Sequence, residues 1–209
     1  MFNTSKLFDF PPEFSFSNGD ILDVVESHRL LGVIISSELR WQMNTNEIFK
    51  KCLKKMWLLR RMKASKLEPD IIIEFYLKEI RILAEHGVII WNGGLTLAQS
   101  NTLEKVQKIA LKIILGDNYI SYDNARSTFG LPLLSERRTE LCINFAVKLY
   151  NSKYCTTFFS LAKGAVSTRQ RKPLVEGICN TKKNYNAPHN YLSRLLNQNS
   201  DRLKILFFL

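Results

Sequence analysis

Residues 28–41 read HRLLGVIISSELRW. Leu30, Leu31, Val33, Ile34 and Ile35 make an apolar, β-branched run around Gly32, which stops at Ser36-Ser37 and passes through charged residues to Trp41. Such a run reads as a strand. From Trp41 onward the spacing changes: Ile48, Phe49, Cys52, Leu53, Met56, Trp57, Leu59 and Met62 recur at the intervals of a helix with one buried face. The change of period over 36–41 divides the chain into a small β element and a helical remainder.

On the N-terminal side, residues 20–25 are also aliphatic. With 29–35 they predict a short antiparallel pair turned at Glu26-Ser27-His28, and residues 1–19 carry the turn signals Pro11-Pro12 and Asn18-Gly19. On the helical side, Asn44 or Thr45 predicts the N-cap of the first helix, with Glu47 completing a capping box. Pro69 predicts the first turn of a second helix, which carries Ile71, Ile72, Phe75, Ile80 and Leu83 to about residue 85–90. Gly93-Gly94 breaks the chain. Residues 97–115 predict a third helix with Leu103, Val106, Ile109, Ala110, Ile113 and Ile114 inward and Gly116 as its C-terminal cap. Helical patterns at 121–129 and 133–151 flank Gly130-Leu131-Pro132, and a shorter one covers 154–163. After Gly164, residues 165–190 combine Pro173, Gly177, Pro188, asparagines and basic side chains with few apolar positions. They lead to the amphipathic stretch Tyr191-Leu192-Ser193-Arg194-Leu195-Leu196-Asn197. The expected fold is mainly α: a short N-terminal β-hairpin in 1–40, a helical array in 41–164, and a basic, partly irregular segment in 165–209 that includes a short terminal helix.

The 209 residues carry 30 Lys and Arg against 19 Asp and Glu, a formal net charge of +11. That balance points to a polyanionic partner. No window approaches the roughly 18–20 consecutive apolar residues of a spanning helix. Asp9 and two prolines occupy the place where a signal peptide has its apolar core. The sequence therefore reads as intracellular, nuclear or cytoplasmic, with no membrane partner. The positive charge is concentrated: residues 46–66 hold eight basic side chains and one acidic one, Glu47. Lys50, Lys51, Lys54 and Lys55 are read on one face with Arg61, extended by Arg60, Lys63 and Lys66, as a surface that follows a phosphate backbone without reading sequence. Trp57, spaced with Leu53 and Arg60-Arg61, is expected in the core rather than stacked on a base.

Enzyme motifs are missing. The seven aspartates include no adjacent pair, and Asp20 and Asp23 read as surface or turn residues rather than ligands of a two-metal site. His28, His86 and His189 form no H-x-D or H-E-x-x-H pattern, and His86 reads as a packed or hydrogen-bonded structural residue. There is no G-x-S-x-G, G-x-G-x-x-G or G-x-x-x-x-G-K. Cys52, Cys142, Cys155 and Cys179 form no C-x-x-C pair and read as small hydrophobes. Neither a metal site nor a cofactor or small-molecule ligand is expected in this chain.

The order of several short stretches is informative in itself. LLGVIISSELRW is followed by Trp57-Leu58-Leu59-Arg60-Arg61-Met62, Phe75-Tyr76-Leu77-Lys78-Glu79-Ile80-Arg81 and Val88-Ile89-Ile90-Trp91. Next come Leu103-Glu104-Lys105-Val106-Gln107-Lys108-Ile109-Ala110, Ile113-Ile114-Leu115-Gly116, Ser121-Tyr122, Gly130-Leu131-Pro132-Leu133, Arg137-Arg138 and Phe145-Ala146. The stretch Tyr191–Asn197 closes the series. Over nearly the whole chain this resembles the region just downstream of the catalytic motif in non-LTR (LINE/jockey-like) retrotransposon reverse transcriptases. The resemblance implies that the Leu-Gly-Val element belongs to the hairpin at the palm–thumb junction. It implies that the helices beyond are the thumb, which grips the template–primer duplex, and a helical connector. Lys50, Lys51, Lys54 and Lys55 would then grip the backbone of RNA or of an RNA–DNA hybrid. The family's F/Y-x-D-D motif, which holds its Mg2+ ions, lies upstream of that hairpin and is absent from this sequence. The chain alone is expected to be inactive as a polymerase. A basic helical module for an acidic protein, and an element remnant without function, remain as alternatives.

Overall fold

A computed structural model describes residues 14–15, 21–22, 25–159, 174, 179–200 and 202. Two separate antiparallel pairs come first: β1 (Phe14–Ser15) with β2 (Ile21–Leu22), and β3 (Ser27–Leu30) with β4 (Val33–Ser36). Helices follow. They are α1 (Gln42–Ala64), α2 (Pro69–Phe75), α3 (Ile82–Glu85), α4 (Val88–Trp91), α5 (Leu97–Leu115), α6 (Tyr122–Thr128), α7 (Leu134–Tyr150), α8 (Cys155–Phe158), α9 (Lys182–Tyr185) and α10 (Pro188–Gln198). A π-helical turn, Tyr76–Arg81, joins α2 to α3 without a break. The structure is mainly helical with a hairpin ahead of the helices, as expected. Residues 160–173, much of the expected irregular segment, and Asp20 and Asp23 lie outside the described residues.

The strand pairing differs from the expected one. His28 faces Ile35, Arg29 faces Ile34 and Leu30 faces Val33, so Ser27 and His28 belong to a strand rather than a turn. The turn is hidden inside the apolar run, at Leu31 (φ +48°) and Gly32 (φ +86°). Two consecutive positive φ values match the right-handed twist of a two-residue hairpin, and Gly32 supplies one of them without steric cost. Leu31 is 87% exposed, so its apolar side chain marks a turn tip and not a core position. Residues 21–22, read with 20–25 as this strand's partner, pair with β1 instead.

The passage from β4 into α1 is closed by local hydrogen bonds. The Ser36 hydroxyl accepts from the Arg40 backbone N–H and donates to the Arg40 carbonyl, each at 2.9 Å. The α1 helix then starts three or four residues earlier than expected, at Gln42, with Trp41 in the cap position and no side-chain cap. Asn44 and Thr45 are not caps but buried first-turn residues. Asn44 is spent on the hairpin, its Oδ1 accepting from the Ile34 N–H at 3.1 Å. Tertiary contact has overridden the local capping signal.

The α1 and α5 helices lie side by side and run parallel. At their starts Gln99 Nε2 donates to Gln42 Oε1 at 3.4 Å, and at their ends the Lys63 side chain lies over Gly116. Cys52, Met56 and Leu59 of α1 and Val106, Ala110, Leu111 and Ile114 of α5 are fully buried between them and the other helices. The turn Asn92-Gly93-Gly94 meets three elements at once. A Cβ on Gly94 would stand 2.3 Å from Trp41 Nε1, and one on Gly93 would stand 2.5 Å from the Tyr191 ring. Asn92 donates to the Tyr191 hydroxyl at 3.0 Å and accepts from Arg138 Nε at 3.2 Å. Arg138, 1% exposed, also donates to Ser100 Oγ at 2.8 Å, and burial lowers its pKa. The terminal amphipathic stretch is thus a full helix, α10, with Leu192, Leu195 and Leu196 buried and packed on α7.

A buried polar chain fastens α7. The Tyr76 hydroxyl donates to Gln107 Oε1 at 3.0 Å, and Gln107 Nε2 donates to the Pro132 carbonyl at 2.9 Å and to the Tyr122 hydroxyl at 3.0 Å. The Tyr122 hydroxyl donates in turn to Glu104. Leu133, at the cap of α7, has no side-chain oxygen to offer the helix. Glu104 of α5 supplies it, accepting from the backbone N–H groups of Leu134 (2.9 Å) and Ser135 (3.0 Å). A carboxylate at this helix end also meets the positive end of the helix dipole. Glu104→Ala is expected to cost about 2–3 kcal/mol in urea unfolding, with Glu104→Gln recovering part of it, because one amide oxygen still accepts.

Cys52 and Cys142 are buried, and desolvation pushes both thiols up to about 12. The thiolate is the reactive form. Thiol labelling at pH 8 is expected to leave Cys52 and Cys142 untouched in the folded chain and to reach them on denaturation, after the half-exposed Cys155 and Cys179.

Candidate nucleic-acid interface

The α1 helix is 23 residues long and buries one ridge, so its opposite ridge is solvent-facing. Lys50, Lys54, Trp57 and Arg61 are spaced by four, three and four. At 100° per residue they fall within about 60° of one another and span ~16 Å along the axis. All four are exposed, and Lys50, Lys54 and Arg61 make no ion pair among the described residues.

Lys51 and Lys55, expected on the same face, are turned about 100° away. Lys51 Nζ lies 3.8 Å from Glu47 Oε1, and Lys55 Nζ lies 2.5 Å from Glu79 Oε2. Glu47 is also held by Arg29 of the hairpin, at 3.0 Å. That hydrogen bond, with the charges of Arg29, Lys51 and Lys50, keeps the Glu47 carboxyl below the usual carboxylate range. Arg60 is exposed on the α5 side of the ridge. Lys63 is half-buried, its Cε 3.3 Å from where a Cβ of Gly116 would stand. The basic cluster is therefore a row of three cations with Trp57 in it, and two flanking lysines engaged by carboxylates.

Trp57 and Leu53 correct the sequence reading. They are 59% and 36% exposed, and not core residues. Their spacing from Phe49 and Met56 is helical, but Cys52, Met56 and Leu59 already fill the buried ridge. The helix carries apolar residues on two ridges, and only one of them is buried. The Arg61 guanidinium carbon stands 6.0 Å from the Trp57 ring centroid, at the edge of cation–π range.

A second basic ridge escaped the sequence reading. Lys105, Lys108 and Lys112 of α5 are exposed and recur at three and four. This ridge lies opposite the residues that α5 buries against α1 and its other neighbours. The 3-4 spacing of these lysines was available in the sequence. Lys108 Nζ also lies 5.0 Å from the Tyr122 ring centroid.

Among the described residues no group of three or more His, Cys, Asp or Glu side chains could hold a metal ion. His86 binds structure: its Nε2 lies 2.9 Å from the Leu31 carbonyl at the hairpin tip. Among the described residues no helix is long and apolar enough to cross a membrane. No protein-family model matches this chain, and no match is found among curated proteins or solved structures.

Glu47 is the one carboxylate on α1, and it restrains both Lys51 and Arg29. Glu47→Gln should therefore raise the salt concentration needed to elute the chain from an immobilised polyanion. Unchanged elution would show that those two cations lie off the binding face.

Proposed function

We propose that this chain is the thumb and connector part of a non-LTR retrotransposon reverse transcriptase, holding RNA or an RNA–DNA hybrid by its backbone. The observation that carries the proposal is the row of Lys50, Lys54 and Arg61 on the exposed ridge of α1, none of them ion-paired among the described residues. The ordered resemblance over nearly the whole sequence supports the same reading. So does the hairpin-to-helix joint at Ser36–Gln42, where a catalytic sheet would pass the duplex to a gripping helix.

The physical mechanism is charge neutralisation. Each phosphate met by a Lys or Arg releases condensed counterions, so binding strengthens steeply as salt falls and carries no base information. Lys105, Lys108 and Lys112 add three exposed cations on α5. The chain has no adjacent aspartates, and the chemistry of nucleotide addition is not assigned to it.

Fluorescence polarisation with an RNA–DNA hybrid at about 50 and 200 mM salt tests this. Wild type is expected to bind hybrids of unrelated sequence alike and to weaken steeply at the higher salt. The triple substitution Lys50→Gln, Lys54→Gln and Arg61→Gln should reduce the log–log salt slope by about 2–3. Lys51→Gln with Lys55→Gln should change it less, since those lysines already face carboxylates. Salt-independent binding, or none at low salt, would sink the proposal. Tight binding to an acidic polypeptide with no affinity for nucleic acid would support a protein-interaction module instead.

A further inference from the structure

The chain has three tryptophans. Trp41 and Trp91 are 6% and 0% exposed, while Trp57 is 59% exposed. Leaving an indole in water forgoes the largest apolar burial available to a side chain. The Trp57 ring is not part of the core that anchors its helix, which is formed by the opposite ridge, and the ring contact it makes is with Arg61, at 6.0 Å. Leu53, one turn before it, is also partly exposed and widens the apolar platform.

What surrounds the ring restricts its occupant. Lys50 and Lys54 precede it on the same ridge and Arg61 follows it. An apolar protein surface seated here would strip water from three cations and return no carboxylate. A nucleic-acid strand offers both required chemistries at once, phosphates for the cations and a planar π-face for the indole. Base–aromatic stacking tolerates any sequence because every base has such a face. Paired bases inside a duplex are already stacked on one another, so the ring selects an unpaired base.

We propose that Trp57 is a stacking platform for an unpaired nucleobase of a strand whose phosphates run along Lys50, Lys54 and Arg61. The proposal rests on the reading of α1 as a nucleic-acid face. It adds a substrate class: single-stranded RNA or DNA, or the frayed end of a hybrid.

Tryptophan emission of the full chain provides the test, because buried Trp41 and Trp91 supply a constant background. A single-stranded RNA of about ten nucleotides is expected to quench the emission, and heparin, a polyanion without bases, to bind without quenching. Trp57→Phe should abolish the quench while leaving heparin binding intact. Trp57→Ala should weaken single-strand binding about tenfold and leave heparin binding unchanged. Single-strand binding with no quench, and with Trp57→Ala equal to wild type, would overturn the stacking role and leave backbone binding standing. Failure of every nucleic acid to bind at low salt would overturn both readings. Stronger quenching by poly-glutamate than by RNA would overturn stacking in favour of a protein partner.

Discussion

The contact on which the remaining structure depends is the seating of two aromatic rings on a turn that has no side chains. Gly93 and Gly94 present bare backbone to Tyr191 and Trp41, and no larger residue would let either ring reach it. Asn92, next in line, ties Tyr191 to the buried Arg138. One three-residue turn thereby fixes the start of α1, the entry to α5, the N-terminal half of α7 and the face of α10. Trp41 determines where α1 begins, and Gln42 beside it meets Gln99 at the beginning of α5. The two long helices consequently start together and run in the same direction.

That alignment decides what α1 can show to solvent. Rotation of the helix is set by Trp41 at one end, Asn44 on the hairpin, and the buried ridge through Cys52, Met56 and Leu59. The ridge carrying Lys50, Lys54, Trp57 and Arg61 is left outward. Repulsion among these cations would oppose the helix in isolation. Helix stability comes instead from burial of the opposite side. Charge density on this face is thus maintained by packing that involves none of the charged groups.

Much of the helical layout was legible in the sequence, since it follows from periodicity and from Gly and Pro. The 97–115 pattern and Gly116 gave α5 to the residue, and Gly130-Leu131-Pro132 separated α6 from α7. What was hidden depends on contacts between distant residues. Leu31 looked like a strand residue because its apolar character said nothing of a left-handed backbone. Asn44 carried a strong capping signal, yet its amide serves β4. Glu104 is an ordinary charged helix residue by pattern, and becomes the missing cap of α7 only when α5 is alongside. The exposure of Trp57 is hidden for a related reason: spacing alone cannot say which of two apolar ridges is buried.

The ring-bearing turn also sets an order of events. Asn92 and Tyr191 are 99 residues apart, so this closure pairs the middle of the described chain with its last long helix. Loops of that length close at considerable entropic cost and after local structure has formed. During synthesis α1 and α5 emerge and pair well before α10 exists. Through that interval Gly93 and the α7 surface that takes Leu192, Leu195 and Leu196 stay open. Maturation of the fold is therefore coupled to translation through Leu196, and the nascent chain carries its cationic face before its core is sealed.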